Sequence, residues 1–177
     1  VAGNNVAYND VVGISVQYHQ TMADDLAAMV RVFRTAAERS HWVLITGGLG
    51  PTLDDLTRDA LAELAGVELV LHEESLAIIQ SMFARRNRLM PERNVIQATF
   101  PAGSVPLPNR CGTAPGIWLE LPREGRPPCR FAALSGVPSE MKVMFAEQVL
   151  PRLTGGGRVI RRARIHCFGG GESDVEA

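Results

Sequence analysis

TGGLGPTLDDLTRD, residues 46–59, is the stretch whose reading decides the fold of this chain. It follows the apolar run Trp42, Val43, Leu44 and Ile45 and leads into a helical pattern carrying Leu56, Ala60, Leu61 and Leu64. The expectation is a strand, a glycine-rich turn and a helix N-terminus. Gly47, Gly48 and Gly50 let backbone N–H groups approach a ligand closely, and a helix start favours an anion. Asp54, Asp55 and Asp59 stand just beyond, and carboxylates beside backbone donors suit a phosphate held with a divalent metal. The same letters also fit a plainer role. Thr52 and Asp55 have capping-box spacing, and such a cap contributes about 1 kcal/mol. No Gly-Lys-Ser/Thr follows, so this is not a Walker A loop. Spacing alone leaves cap and ligand site both open.

Upstream, residues 11–20 (VVGISVQYHQ) alternate apolar and polar from Ile14 onward and predict a strand, with Tyr18 and His19 near its end. Residues 1–10 show neither period. Leu26, Met29, Val30, Phe33 and Ala37 recur at helical spacing and predict an amphipathic helix over 24–39. Thr21 or Asp24 would cap it, with Asp25 at its start and Arg39 in its last turn. A strand over 41–46 follows. Strand, helix, strand, helix implies a parallel sheet flanked by helices, with ligands at the carboxyl ends of its strands. The glycine turn lies at such an end.

Downstream, the second helix closes at Ala65 with Gly66 as a left-handed stop. VELVLH (67–72) is a short extended piece, and a third helix runs over 73–87 with Leu76, Ile79, Met82 and Phe83 inward. Pro91 breaks the pattern. SVPLPN and GIWLEL read as short strands around the loop from Asn109 to Gly116, where Gly112 and Gly116 bracket a tight turn. LPREGRPPCR (121–130) reads as an exposed, polar connection. FAALSG (131–136) is a buried strand running into Val137, Pro138, Ser139, Glu140 and a helix with Met144, Phe145 and Val149 inward. Ser139 would cap that helix and Pro138 suits its first turn. It is a second strand–glycine–helix junction. The stretch 154–157 reads as a linker, 158–168 (RVIRRARIHCF) as an arginine-rich edge strand, and GGGESDVEA as the approach to an acidic helix.

The chain has 177 residues, 46% hydrophobic and 21% charged, which suits one domain or one domain plus a fragment. With 18 basic against 19 acidic residues the net charge is −1, which argues against sequence-independent nucleic-acid binding. Cys111, Cys129 and Cys167 form no zinc or disulfide pattern, so the expected setting is reduced and cytoplasmic. No secretory segment and no apolar run of membrane-spanning length is read in the sequence.

TGGLGPTLDDLTRDALAELAG, then NVIQATFPAGSVPLPNRCGTAPGIWLE, then LSGVPSEMKVMFAEQVLPRL together resemble the N-terminal domain of the CinA (competence/damage-inducible) family. That domain is similar to the molybdopterin-binding domain of molybdenum-cofactor biosynthesis proteins. The resemblance covers roughly residues 11–153. It implies an α/β fold, a three-layer α/β/α sandwich on a mostly parallel sheet, in a domain spanning 1–153. Residues 154–177 then resemble a linker and the start of a second, truncated small domain. By position, Gly47, Gly48, Gly50, Pro51 and Thr52 would form a phosphate-binding turn. Asp54 and Asp55 would hold metal or position water, with Thr57 and Asp59 in support. Asn109, Gly112, Thr113, Ala114, Pro115 and Gly116 would make the opposite wall, and Gly136, Val137, Pro138, Ser139 and Glu140 would complete the pocket. Asp24 matches the aspartate of the family's GDD-like segment. The chain departs from the family pattern at Ser135, where proline is usual, and at Gly3, Asn4 and Asn5, a remnant of the family's opening Gly-Asp/Asn-Glu segment.

The resemblance implies a metal-dependent hydrolase that cleaves ADP-ribose or a similar phosphoanhydride, using Asp54 and Asp55 with Mg²⁺ or Co²⁺, and a monovalent cation as a further expected cofactor. Backbone donors and carboxylate-bound metal supply the charge neutralisation such chemistry needs. The alternative is a molybdopterin- or nucleotide-binding module without turnover, and a third is a structural domain serving assembly. Expected partners are a nucleotide or pterin and further copies of the chain, with neither nucleic acid nor membrane. Nothing in the chain matches the deamidase domain of full-length members.

Overall fold

The helix predicted ahead of the glycine loop forms as α1, Leu26–Arg39, because Met29, Val30, Phe33 and Ala37 fall on one buried face. Its N-cap is Asp25, whose Oδ1 accepts the Ala28 N–H at 2.6 Å, rather than Thr21 or Asp24. Only Asp25 stands three residues before a free N–H of the first turn. This is a computed structural model that describes residues 16–153, of which Gln20–Arg152 form one compact unit. The expected linker, arginine-rich strand and second domain fall outside the described residues. So do residues 1–15, including the first half of the predicted first strand. Residues 16–20 of that prediction are exposed and carry no strand. Their alternation finds no neighbouring strand among the described residues.

The remaining elements follow in order: β1 Trp42–Thr46, α2 Thr57–Ala65, β2 Leu69–Leu71, α3 Glu73–Ala84, a 3₁₀ turn Glu92–Ala98, β3 Thr99–Pro101, β4 Val105–Leu107, β5 Gly116–Arg123, β6 Arg126–Leu134 and α4 Pro138–Met144. A π-turn, Phe145–Val149, continues α4. Gly66 ends α2 in the left-handed conformation (φ 67°) as expected, with the Val67 N–H bonded back to the Ala62 carbonyl. Helix α3 stops at Ala84, three residues short of the predicted end, and only Ile79 of its four expected inward residues is fully buried.

The expected mostly parallel sheet is corrected here. The main sheet has the order β1-β6-β5-β4 and is mixed: β1 pairs with β6 in parallel, whereas β6–β5 and β5–β4 are antiparallel. A separate antiparallel pair joins β2 to β3. Residues 121–130 are the reason. They form a hairpin, exposed at its tip as expected but built of strand rather than irregular connection, with Arg123 opposite Arg126 and Glu124 and Gly125 in the turn. Two turn residues can only return the chain antiparallel, and Gly125 accepts the φ of 64° that the turn requires. Pro122 lies on β5 and Pro127 and Pro128 on β6, where Pro127 also accepts a hydrogen bond from Arg123 Nε. Arg123 Nη1 donates to the carbonyls of Ala37 and Ser40, both at 2.9 Å, and Arg126 donates to Glu38. The hairpin arginines thereby satisfy orphan carbonyls at the end of α1.

Alternation along β5 and β6 splits their side chains between two faces. Ile117, Leu119, Phe131 and Ala133 join Phe33, Ala60 and Leu61 in one core. Complete burial of a side chain such as Phe33 or Leu61 contributes about 1.5–3 kcal/mol. Trp118, Ala132 and Leu134 take the opposite face, where the edge of Trp118 meets Trp42 at 5.3 Å. Parallel pairing of β1 with β6 sets Thr46 beside Leu134. The two glycine junctions therefore leave the sheet side by side, in the same direction.

Candidate functional site

Two loops leave adjacent strand ends, and their glycines let them touch. A Cβ built on Gly136 would lie 3.1 Å from Gly47 Cα, and the Gly47 N–H donates to the Leu134 carbonyl at 2.9 Å. Gly47 and Gly48 take positive φ, 98° and 69°. This backbone, together with Leu49, Gly50, Asp55, Gln97, Thr113, Ala114, Val137 and Glu140, encloses a cavity of ≈ 320 Å³. Among the described residues, the N–H groups of Gly48 and Gly136 have no backbone acceptor. Such N–H groups are what an anion binds.

The loop is braced from below by the start of α2. Thr57, 2% exposed, donates its hydroxyl to the Gly47 carbonyl at 2.8 Å. Arg58, 1% exposed, donates to the carbonyls of Leu49 (2.6 Å) and Gly50 (3.0 Å). With those carbonyls tied inward, the Gly48 N–H is left to the cavity. Burial lowers the Arg58 pKa, opposed by the nearby charges of Asp59 and Asp55. The sequence reading passed over Arg58. Its signal was an arginine in the first turn of an otherwise apolar-facing helix.

Thr52 and Asp55 do meet as their spacing allowed, but not as a helix cap, and Thr52 donates both bonds to the Asp55 side chain. Asp55 Oδ2 accepts from Thr52 N (3.0 Å) and Thr52 Oγ1 (2.5 Å), while α2 begins only at Thr57 with Leu56 at its N-cap. The pair is a clasp across the loop. Burial pushes the Asp55 pKa up, yet the Thr52 hydroxyl, the Thr52 and Gly50 N–H groups and the Arg58 charge outweigh it, leaving the carboxyl below its ordinary value. Gly50 must lack a side chain here, because a Cβ would overlap Asp55 Oδ2 and sit 2.9 Å from its Cγ.

The opposite wall is organised by Glu140. Its Oε2 accepts from Ser135 Oγ (2.7 Å) and Asn109 Nδ2 (2.9 Å). Asn109 Nδ2 also donates to the Ala114 carbonyl, and its Oδ1 accepts from the N–H groups of Cys111 and Gly112. Glu140 thus fastens the third motif to the second through Asn109, and Ser135 holds its carboxylate in place. Ser139 does not cap α4: Val137 is the N-cap without a side-chain bond, and Pro138 occupies the first turn as expected. Ser135 Oγ instead accepts the Val137 N–H at 3.2 Å.

Of the residues singled out from the sequence, Gly47, Gly48, Gly50, Asp55, Thr113, Ala114, Gly136, Val137 and Glu140 line this cavity. Thr52, Thr57 and Asn109 stand behind it and hold its walls. Pro51, Asp54, Asp59, Asp24, Pro138 and Ser139 are not among its lining, and neither are Gly112 and Pro115, which face a second cavity. Gly116 is buried at the start of β5, where a Cβ would come within 2.9 Å of Met144 Cε. Gln97 was missed. It is 3% exposed, its Oε1 accepts from Asn94 Nδ2 at 2.9 Å, and it lines the cavity from the 3₁₀ turn. Nothing in its local pattern marks it.

Among the described residues no three His, Cys, Asp or Glu side chains cluster as a metal site, and no helix is long and apolar enough to cross a membrane. Asp55 commits Oδ2 to Thr52, and Asp54 is exposed beside it. Of the two, only Asp55 lines the cavity, so the described residues form no closed protein cage for a cation.

Comparison with known proteins bears on this geometry. The model of the family described as probable molybdopterin binding domain matches residues 7–155. A competence-damage inducible protein of Acetivibrio thermocellus is 40% identical over 183 residues, covering 99% of this chain and 43% of that protein. A CinA-like protein of Thermomicrobium roseum is 42% identical over 166 residues, covering 93% and 40%. The chain therefore spans about two fifths of the length of these relatives. The crystal structure of the protein CinA, of unknown function, from Thermoplasma acidophilum aligns with TM-score 0.67 at 32% identity, covering 82% of this chain and 85% of that one.

Proposed function

The chain belongs to the probable molybdopterin binding domain family and is CinA-like, and from that premise we propose that its glycine-loop cavity binds the phosphates of a nucleotide or pterin and hydrolyses a phosphoanhydride such as ADP-ribose. The observation that carries this reading is the contact between the two junctions. Gly47 and Gly136 pack backbone to backbone, so the amide edges of both loops share one cavity with Asp55 and Glu140 on its walls. A phosphate seated there would be neutralised by dipoles fixed before it arrives, which is how developing charge is stabilised at low reorganisation cost.

The chain's own residues divide the work. The loop N–H groups seat one phosphate, Asp55 orients a water or shares a cation with it, and Glu140, held by Ser135 and Asn109, receives a hydroxyl or amine of the ligand. Asp55 would hold a divalent cation, Mg²⁺ or Co²⁺, with Asp54 as a second candidate ligand, and the cation would supply charge neutralisation. Hydrolysis adds water across the P–O–P link, releasing AMP and ribose 5-phosphate. The test is AMP release from ADP-ribose with either metal, in wild type and in Asp54→Ala and Asp55→Ala variants. The expected loss in the Asp55 variant is on the order of a hundredfold. Absence of AMP release by the wild type with metal present overturns the hydrolase reading.

One observation favours the second reading, a binding module without turnover. Asp55 spends one carboxylate oxygen on Thr52, and Asp54 lies outside the cavity lining. Ligand-dependent thermal stabilisation with no product would establish it, and flat titrations with AMP, ADP-ribose and pterin would reject it.

A further inference from the structure

A second cavity, ≈ 550 Å³, opens between α3 and the segment from β4 to Pro115. Its size lies in the range of small-molecule sites. Ile78 and Val105 are 51% and 50% exposed, yet both line this one cavity, facing it from α3 and β4 with Ile79 and Pro106 between them. Exposed apolar side chains converging on one concavity mark a binding surface rather than scattered surface leucines and valines. His72 supplies a polar group. Its Nδ1 accepts the Ser75 N–H at 3.2 Å, which places the ring hydrogen on Nε2, a donor. The ring itself is fixed edge-on against Phe100 at 5.8 Å.

The wall between this cavity and the glycine-loop cavity is thin. Thr113 lines both. Gly112 faces the larger cavity, while a Cβ on it would overlap the Glu140 carboxylate that faces the smaller one. Asn109, on the larger side, bonds Glu140 directly at 2.9 Å. A molecule with its phosphate on the glycine loops needs to cross only this one-residue ridge. Charges of both signs, Glu74 and Arg85, also line the larger cavity, and Arg110 there is paired with Glu147 at 3.2 Å, so its lining does not compete with the glycine loops for the phosphate.

We infer that the two cavities are one bipartite site, in which the larger takes the planar heterocycle of the ligand while the smaller takes its phosphate. The proposal rests on the phosphate reading given above for the smaller cavity. It specifies a ligand made of a flat, hydrogen-bonding ring joined through a short polar link to phosphate. Apolar contacts from Ile78, Ile79, Val105 and Pro106 cover the ring faces, and the His72 Nε2–H meets a ring acceptor. A nucleobase and a pterin share this chemistry, and the experiment separates them.

Binding is measured by calorimetry with four probes: adenosine and neopterin as rings, pyrophosphate as the phosphate end, and ADP-ribose as both. Ile78→Glu and Val105→Glu place a charge at half-exposed positions, where the free protein tolerates it, and circular dichroism confirms folding, with Ile78→Ala as the milder variant. Expected is a loss of about tenfold or more for ADP-ribose and for the preferred ring in both charged variants, with pyrophosphate unchanged. The ring that binds more tightly to the wild type identifies the source. Equal affinity of ring-bearing probes for wild type and both charged variants overturns the proposal. Ring binding that is lost in Ile78→Glu while pyrophosphate fails to bind at all supports this cavity and rejects the phosphate site. Failure of every probe to bind the wild type overturns both.

Discussion

Replacing Gly48 by alanine perturbs the candidate site through one methyl group. Gly48 has φ 69°, where a Cβ costs about 1–2 kcal/mol by crowding the backbone. That Cβ would overlap Thr57 Oγ1 and lie 3.1 Å from Thr57 Cβ and 3.2 Å from Thr57 N. Thr57 can move only by breaking its own contacts, being 2% exposed and β-branched, with its backbone N–H bonded to the Gly48 carbonyl at 3.1 Å. The contact is therefore relieved by giving up the Thr57 hydroxyl bond to the Gly47 carbonyl, which costs about 0.5–1.5 kcal/mol. The sum is a destabilisation of about 1.5–3.5 kcal/mol, a large share of the about 5–15 kcal/mol that holds a typical domain folded. Urea unfolding followed by circular dichroism measures it. Thr57→Ala alone should cost only the hydrogen bond, and the Gly48→Ala/Thr57→Ala pair should lose less than the two single changes summed, since the shorter side chain makes room. A Gly48→Ala protein within about 0.5 kcal/mol of wild type would refute the reasoning, because surface changes without a structural cause stay in that range.

Two further outcomes are expected. Asp55 has a folded-state pKa below its ordinary 3.8, so its contribution to stability is complete above that pH and is lost as the pH falls below it through the folded value. Asp55→Asn should accordingly lower the thermal midpoint near neutral pH, with the gap to wild type closing below pH 3.8; a gap independent of pH would disprove the Thr52 clasp. Cys129 is buried on β6, which raises its thiol pKa, whereas Cys111 is exposed. A thiol reagent should modify Cys111 in the native protein and Cys129 only after unfolding, as peptide mass mapping would report; native labelling of Cys129 would contradict the sheet.

Local patterns in the chain carried the helices well. The spacing of Met29, Val30, Phe33 and Ala37, and the glycine after Ala65, report the geometry of a single segment, and each segment folded accordingly. What misled was chemistry that two segments can satisfy in different ways. Residues 121–130, with Pro127 and Pro128, read as an exposed connection because proline and charge discourage a central strand. In the fold these residues extend a hairpin beyond the sheet centre, and its arginines find carbonyls at the end of α1. The Thr52–Asp55 pair was legible as a contact but not as a clasp, because the start of α2 depends on how Thr57 and Arg58 tie the loop from beneath.

The sequence by itself determined that a glycine-rich turn ends an apolar strand, that a second such junction follows β6, and which family's motifs they carry. These are properties of residue type and near spacing. Only the tertiary structure decided that the two junctions meet, because parallel pairing of Thr46 with Leu134 is a contact between residues far apart in the chain. It also decided that Gln97, Ser135 and Arg58 belong to the site or its supports. Their roles arise from burial and from partners on other elements, and no local period encodes either.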